Sequence, residues 1–198
     1  MLFRSTSAQL SADLQRRREQ LDGLLSYVEA RAQDVLRKHG RLHPALYTIS
    51  PEGLGLYIAP SLEEWEKDAH ADNARLICGA QGAEVAVLAT EAWVRFAKIG
   101  ERLDLQPRPS QSPDRTEYVS LIGEALGGTY QNKLLPILRD NRGRFSCLGK
   151  SKVLLPKPVV GRYASLLPHT PLPQEARALA ALLLERRGLV IRKEPFKQ

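Results

Sequence analysis

The sequence predicts an α+β fold: an antiparallel β-meander packed by one helix, with a long N-terminal amphipathic helix before it and a C-terminal helix after it. Three observations predict it. Apolar residues recur at three- and four-residue steps from Leu10 to Leu36, short Tyr-, Ile- and Val-bearing runs alternate with turn signals between 45 and 148, and an Ala/Leu-rich stretch follows Pro173. At 198 residues, 43% hydrophobic and 26% charged, the chain has ordinary globular usage and length for one sizeable core with appendages. That excludes collagen, a wholly disordered chain and a disulfide scaffold. The organisation expected is an N-terminal helical segment over 1–42, an α+β core domain over 43–150, and a Pro-rich linker with a basic C-terminal helix over 151–198.

From Ser11 to His39 the stretch lacks Pro and has Gly23 as its one glycine. Leu10, Leu14, Leu21, Leu24, Leu25, Val28, Ala32, Val35 and Leu36 mark one face, so the segment is one long helix or two broken near Gly23, with Gly40 as its stop. Ala45 to Ile49 and Gly55 to Ala59 read as strands joined through Ser50-Pro51-Glu52-Gly53. Ser61-Leu62-Glu63-Glu64 has the form of a capping box and starts a helix that Gly79 or Gly82 ends, with Leu62, Trp65, Ala69, Leu76 and Ala80 on its apolar side. Ala83 to Phe96 fits a helical stripe or a strand, and Gln81-Gly82 before it favours the strand. In that strand Trp93 is expected to anchor a core or interface and Glu91 to lie on the more polar side, which needs a bulge near Ala92 because alternation puts both on one face.

After a polar, Pro-bearing loop from Lys98 to Asp114, strands are expected over Glu117 to Ala125, Tyr130 to Arg139 and Arg144 to Leu148. Gly127-Gly128 and Asp140-Asn141-Arg142-Gly143 make the turns between them. The stretch holding Pro156, Pro158, Pro168 and Pro171 reads as extended. Pro173 then suits a first helical turn, Gln174 to Arg187 continues the helix, Gly188 stops it, and Leu189-Val190-Ile191 reads as a short terminal strand.

Charge is uneven. Residues 1–42 carry 8 basic and 5 acidic side chains, 43–150 carry 12 and 14, and 151–198 carry 9 and 3, giving +3, −2 and +6. A polyanion site would therefore draw on Arg16, Arg17 and Arg18 at one end and Arg186, Arg187, Arg192 and Lys193 at the other, provided the two ends meet in space. Three consecutive arginines span about 300° of a helix at roughly 100° each, so at least one faces away from the core.

The chemical inventory is thin. His39, His43, His70 and His169 are scattered, and no HExxH, CxxC, EF-hand, GxSxG or phosphate-loop spacing occurs, so no metal site and no cofactor is expected. Cys78 and Cys147 read as buried small hydrophobes in a reducing compartment. The longest apolar run, Ala178 to Leu184, has seven residues, too few to cross a membrane, and MLFRSTSAQL lacks a secretory apolar stretch, so a cytoplasmic location is expected. Among carboxylates, Glu91, Asp114 and Glu117 are the one set that adjacent strands could gather for metal-dependent hydrolysis; Glu91 could equally pair with Arg115.

Ala83-Glu84-Val85 through Thr90-Glu91-Ala92-Trp93, then Pro109-Ser110-Gln111-Ser112-Pro113-Asp114-Arg115 and Glu117-Tyr118-Val119, resemble a pattern in small hypothetical proteins of bacteria and their phages that carry an EAW strand and a PSxxPDR loop. That group has no established activity, so the resemblance implies a central fold within 70–150 and no mechanism. Leu184-Glu185-Arg186-Arg187-Gly188-Leu189-Val190 followed by Ile191-Arg192-Lys193-Glu194-Pro195 is similar to the helix-to-wing junction of MarR-type winged-helix regulators, without a return strand before Gln198. The reading that combines these features is a non-enzymatic, macromolecule-binding accessory module with a protein partner or a second copy of itself. Nucleic-acid binding through the basic ends and carboxylate hydrolysis are the alternatives.

Overall fold

The computed structural model describes residues 7–59, 63–96, 108–154 and 162–190. Helix α1 (Ser7–His39) leads into strands β1 (Ala45–Ser50) and β2 (Gly53–Ile58), helix α2 (Lys67–Gln81), strands β3 (Val85–Val94), β4 (Thr116–Ala125), β5 (Thr129–Arg139), β6 (Phe145–Leu148) and β7 (Lys152–Leu154), and helix α3 (Gln174–Arg186). The fold is α+β, as the sequence predicts. All strand pairs are antiparallel, in the order β2-β1-β3-β4-β5-β6, and β7 adds to β5. The sheet curls into a half-barrel.

Helices cover both faces of the sheet. On one face Leu21, Leu24, Leu25, Val28, Ala32 and Leu36 of α1 pack on Tyr47, Val85, Val87, Ala89, Val119, Leu121 and Leu135. Gly123 permits this approach: a Cβ there would come within 2.9 Å of Leu21 Cδ1 and 2.7 Å of the Gln131 carbonyl. Helix α1 is unbroken at Gly23. On the other face the alternate strand residues Leu46, Ala86, Leu88 and Ile122 meet Ala74, Ile77 and Cys78 of α2 and Leu184 of α3. Leu166 and Leu167 are buried in that same cluster, so the Pro-bearing segment docks here rather than merely running extended.

Several expectations are corrected. The segment before α2 opens with a 3-10 turn over Glu64–Glu66, where the Glu66 carboxylate accepts from the Glu63 backbone N–H at 2.8 Å; this box lies two residues beyond the one expected, and Ser61 is outside the described residues. The buried side of α2 is His70, Ala71, Ala74, Ile77 and Cys78, about one position from the expected stripe, and Trp65 is 78% exposed. Gly82 ends α2 with φ +59°. Cys78 is buried but Cys147 is exposed. Strand β7 arises where an extended linker was expected, whereas Leu189 and Val190 are not in a strand. Among the described residues, no helix is long and apolar enough to cross a membrane.

Candidate functional site

Strand β3 outruns its neighbour. The β1–β3 register ends at Ala45 opposite Ala89, because the chain reaches β1 through Arg41-Leu42-His43-Pro44, while β3 continues paired to β4 as far as Val94 opposite Thr116. Among the described residues no strand pairs with Thr90 to Val94 on the side that β1 leaves; a cleft of about 710 Å³ opens beside them, and the 3-10 turn Pro109–Gln111 also packs against β3. Arg41, Lys67, Arg108 and Arg162 line that cleft, together with Trp93 and Tyr163.

Glu91 and Glu117 meet at its floor. The register puts Glu91 opposite Val119 and Trp93 opposite Glu117, so all three side chains share the α1 face. The strand is regular, without the bulge that separating Glu91 from Trp93 would have needed. Trp93 is 44% exposed, with the Arg115 guanidinium 4.6 Å from its ring centroid, so it is not a core anchor. Arg115 takes this place instead of an ion pair with Glu91, and it also donates to the Ser110 carbonyl.

Both floor carboxylates already have structural partners. Glu91 Oε1 accepts from the Leu42 backbone N–H at 2.6 Å and so pins the α1–β1 connection. Burial pushes its pKa above the usual carboxylate value, the Leu42 N–H opposes that shift, and the nearby Glu117 charge adds to it. Glu117 receives two bonds from Arg139, each 2.8 Å, in a bidentate pair. Asp114 is exposed on the turn before β4, where its backbone N–H donates to Ser112 Oγ at 3.4 Å. No group of three or more potential metal-ligating His, Cys, Asp or Glu residues occurs among the described residues.

The basic residues of the two ends have separate partners among the described residues. Arg16 and Arg17 reach Glu84 at 3.0 and 3.5 Å, and Arg18 is exposed on the same helix. Arg187 donates to Asn73 Oδ1 at 2.7 Å, and Arg186 is exposed. Arg16 and Arg17 sit on the helix over one face of the sheet, and Arg186 and Arg187 at the end of the helix over the other. Arg192 and Lys193 lie outside the described residues.

The cations that do gather were hidden by the segment sums. Arg37, His39 and Arg41 at the end of α1 face Arg139 and Arg144 across a second cleft of about 670 Å³, with Lys38 and Arg142 close in sequence. Arg37 is paired with Asp34 at 2.9 Å and Arg144 with Asp140 at 2.9 Å. Arg41 lines both clefts, and the Glu117–Arg139 pair stands between them. The runs Arg37-Lys38-His39-Gly40-Arg41 and Arg139-Asp140-Asn141-Arg142-Gly143-Arg144 carried this signal in the sequence. Averaging 43–150 to −2 erased it.

A second polar cluster serves the opposite face. Glu124, 3% exposed, accepts from the Leu167 backbone N–H at 3.0 Å and from those of Leu166 and Ser165. Ser165 adopts φ +55°, which turns successive N–H groups toward the carboxylate. Arg75 grips the same loop by donating to the Ala164 and Arg162 carbonyls. His70, 3% exposed, places Nδ1 3.3 Å from Tyr163 Oη and stacks on Tyr57, and burial lowers its pKa.

No protein-family model, curated protein or solved structure matches this chain.

Proposed function

We propose that the chain is a non-enzymatic binding module that takes an extended, acidic segment of a protein partner into the cleft beside Thr90 to Val94. The observation that carries this reading is the overhang of β3 beyond β1, which leaves Thr90 to Val94 without a strand partner on that side among the described residues. An extended peptide laid there continues the sheet through main-chain hydrogen bonds. The charge of Arg41, Lys67 and Arg108 favours acidic side chains, and the half-exposed Trp93 offers a flat contact. Hydrolysis is disfavoured because Glu91 and Glu117 are each committed to a structural partner and Asp114 stands apart.

The test is fluorescence anisotropy with a labelled octapeptide of alternating Asp and Val, against its Lys/Val counterpart. Arg41→Glu combined with Arg108→Glu, both exposed, is expected to abolish binding of the acidic peptide without unfolding the protein. Equal binding of both peptides, or no loss in the double variant, overturns the reading.

The second cleft favours one alternative, a nucleic-acid backbone lying across both clefts and meeting Lys38, Arg41 and Arg142. In that case log affinity for duplex DNA falls with log salt, and each lost phosphate contact flattens the slope by about 0.9. Lys38→Glu and Arg142→Glu then reduce the slope while leaving peptide binding intact.

A further inference from the structure

Helix α3 is apolar on two sides. Ala180 and Leu184 are buried, and α2 is the neighbouring element that α3 packs against. Away from it point Leu179, Leu182 and Leu183, which are 56, 46 and 37% exposed. Glu175, Ala178 and Arg186 are also exposed. At roughly 100° per residue, positions 175, 178, 179, 182, 183 and 186 fall within a stripe about 140° wide. A helix that is hydrophobic all round is normally covered all round.

The stripe is self-complementary. We propose that α3 pairs with the α3 of a second copy of this chain, antiparallel across a two-fold axis. One register pairs all six positions of the stripe: Leu179 of each copy faces Leu182 of the other, Ala178 faces Leu183, and Glu175 faces Arg186, while Gln174 and Glu185 lie outside the stripe. The 4-3-4 spacing of 175, 179, 182 and 186 is that of a short helix seam. Small Ala178 opposite Leu183 lets the seam close. Neither Glu175 nor Arg186 has an intramolecular partner among the described residues, and the two-fold supplies one to each at both ends of the interface. A parallel pairing would set Glu175 against Glu175 and Arg186 against Arg186. Charge thus selects the antiparallel arrangement and a second copy as the occupant.

Two thirteen-residue helices bury less than the roughly 1,200–2,000 Å² of a stable interface, so the expected dimer is weak, with a dissociation constant in about the micromolar range. Sedimentation equilibrium of the full chain from about 1 to 200 μM is expected to show a monomer–dimer equilibrium over that range. Leu179→Glu combined with Leu182→Glu is expected to leave a folded monomer. Glu175→Arg alone and Arg186→Glu alone each weaken the dimer by about three- to tenfold, because each creates two like-charge contacts. Mixing those two variants restores the affinity, since each then meets its complement. A monomer at every concentration overturns the proposal, as does a dimer insensitive to the leucine replacements or the absence of rescue on mixing. Acidic-peptide binding by the monomeric leucine variant keeps this outcome separate from that of the cleft.

Discussion

Helices α1 and α3 cover opposite faces of one sheet, yet they treat solvent differently. On α1 Leu21, Leu24, Leu25 and Leu36 point inward, Leu14 and Tyr27 are partly exposed, and the outward side carries Arg16, Arg18, Glu19, Asp22, Arg31 and Lys38, a mixed-charge surface that water satisfies. On α3 leucines point both ways, and charge is confined to the ends of the outward stripe. The difference is already written in the run Ala178 to Leu184. Seven consecutive apolar residues turn through almost two full helical turns, so no orientation of α3 can bury them all on one partner. Helix α1 buries most of its apolar face on its own sheet, whereas α3 keeps Leu179, Leu182 and Leu183 exposed among the described residues.

Replacing inward and outward leucines is the strongest way to break that comparison. Leu25, fully buried under α1, is expected to cost about 2–5 kcal/mol as Leu25→Ala. Leu182→Ala, measured at a concentration where the chain is monomeric, is expected to cost well under about 1 kcal/mol, because its side chain is 46% exposed. Urea denaturation of the two variants checks this, and similar losses at both positions would mean that α3 is as fully packed as α1.

The sheet was legible because its signals are local. Glycine- and Pro-bearing turns bracket β1, β2, β4, β5 and β6, and the expected strand at 83–96 holds as β3 because Gly82 caps α2 in a left-handed conformation just before it. What the sequence did not reveal depends on partners distant in the chain. Ser61-Leu62-Glu63-Glu64 and Glu63-Glu64-Trp65-Glu66 offer overlapping ways to start a helix, and with the second Trp65 is exposed. At the candidate site the sequence offers Glu117 or Arg115 as the neighbour of Glu91; the Glu117 charge is the one that reaches Glu91, and Arg115 lies over Trp93. The roles of Glu91 and Glu117 were not readable, since the Leu42 N–H is 49 residues from Glu91 and Arg139 is 22 from Glu117. The start of β1 at Ala45 is legible, but the cleft follows from its pairing with Ala89 of β3, and no local pattern encodes that register.

Polar groups divide the two faces as well, which gives a pH test of intermediate size. Burial raises the pKa of Glu124 against the lowering effect of the Leu167, Leu166 and Ser165 N–H groups. The folded carboxyl therefore holds its proton more tightly than the unfolded one. Its contribution to stability is most favourable below the unfolded value of about 4.5 and declines as pH rises through the raised folded pKa. Glu91 on the α1 face has the same sign, whereas His70, lowered by burial, destabilises the fold as pH falls below 6.5. Glu124→Gln is expected to flatten the decline above pH 4.5 and leave the portion due to Glu91. Glu124→Ala leaves the loop N–H groups without their acceptor and is expected to cost about 1–3 kcal/mol. Denaturation midpoints from pH 4 to 8 separate the two effects, and an unchanged pH slope in Glu124→Gln would mean that the Glu124 carboxyl is not raised by burial.

The smallest expected effect returns to α1 and tests whether that helix is held by its sheet or by its own backbone. Gly23 lies in mid-helix, is exposed, and a Cβ added there would have nothing within 4 Å. Glycine at such a position is worse than alanine by about 0.5–1 kcal/mol, largely because the unfolded chain has more conformational freedom to lose. Gly23→Ala is therefore expected to stabilise the protein by about that amount while changing neither the dimer nor the cleft. The leucines on either side, Leu21, Leu24 and Leu25, are already buried, so no new packing enters the comparison. Thermal melting and amide exchange across 15–30 would register the gain as slower opening of α1 alone. A loss of stability would mean that α1 must bend at Gly23 to follow the curl of the sheet, and the unbroken helix would then be a strained one.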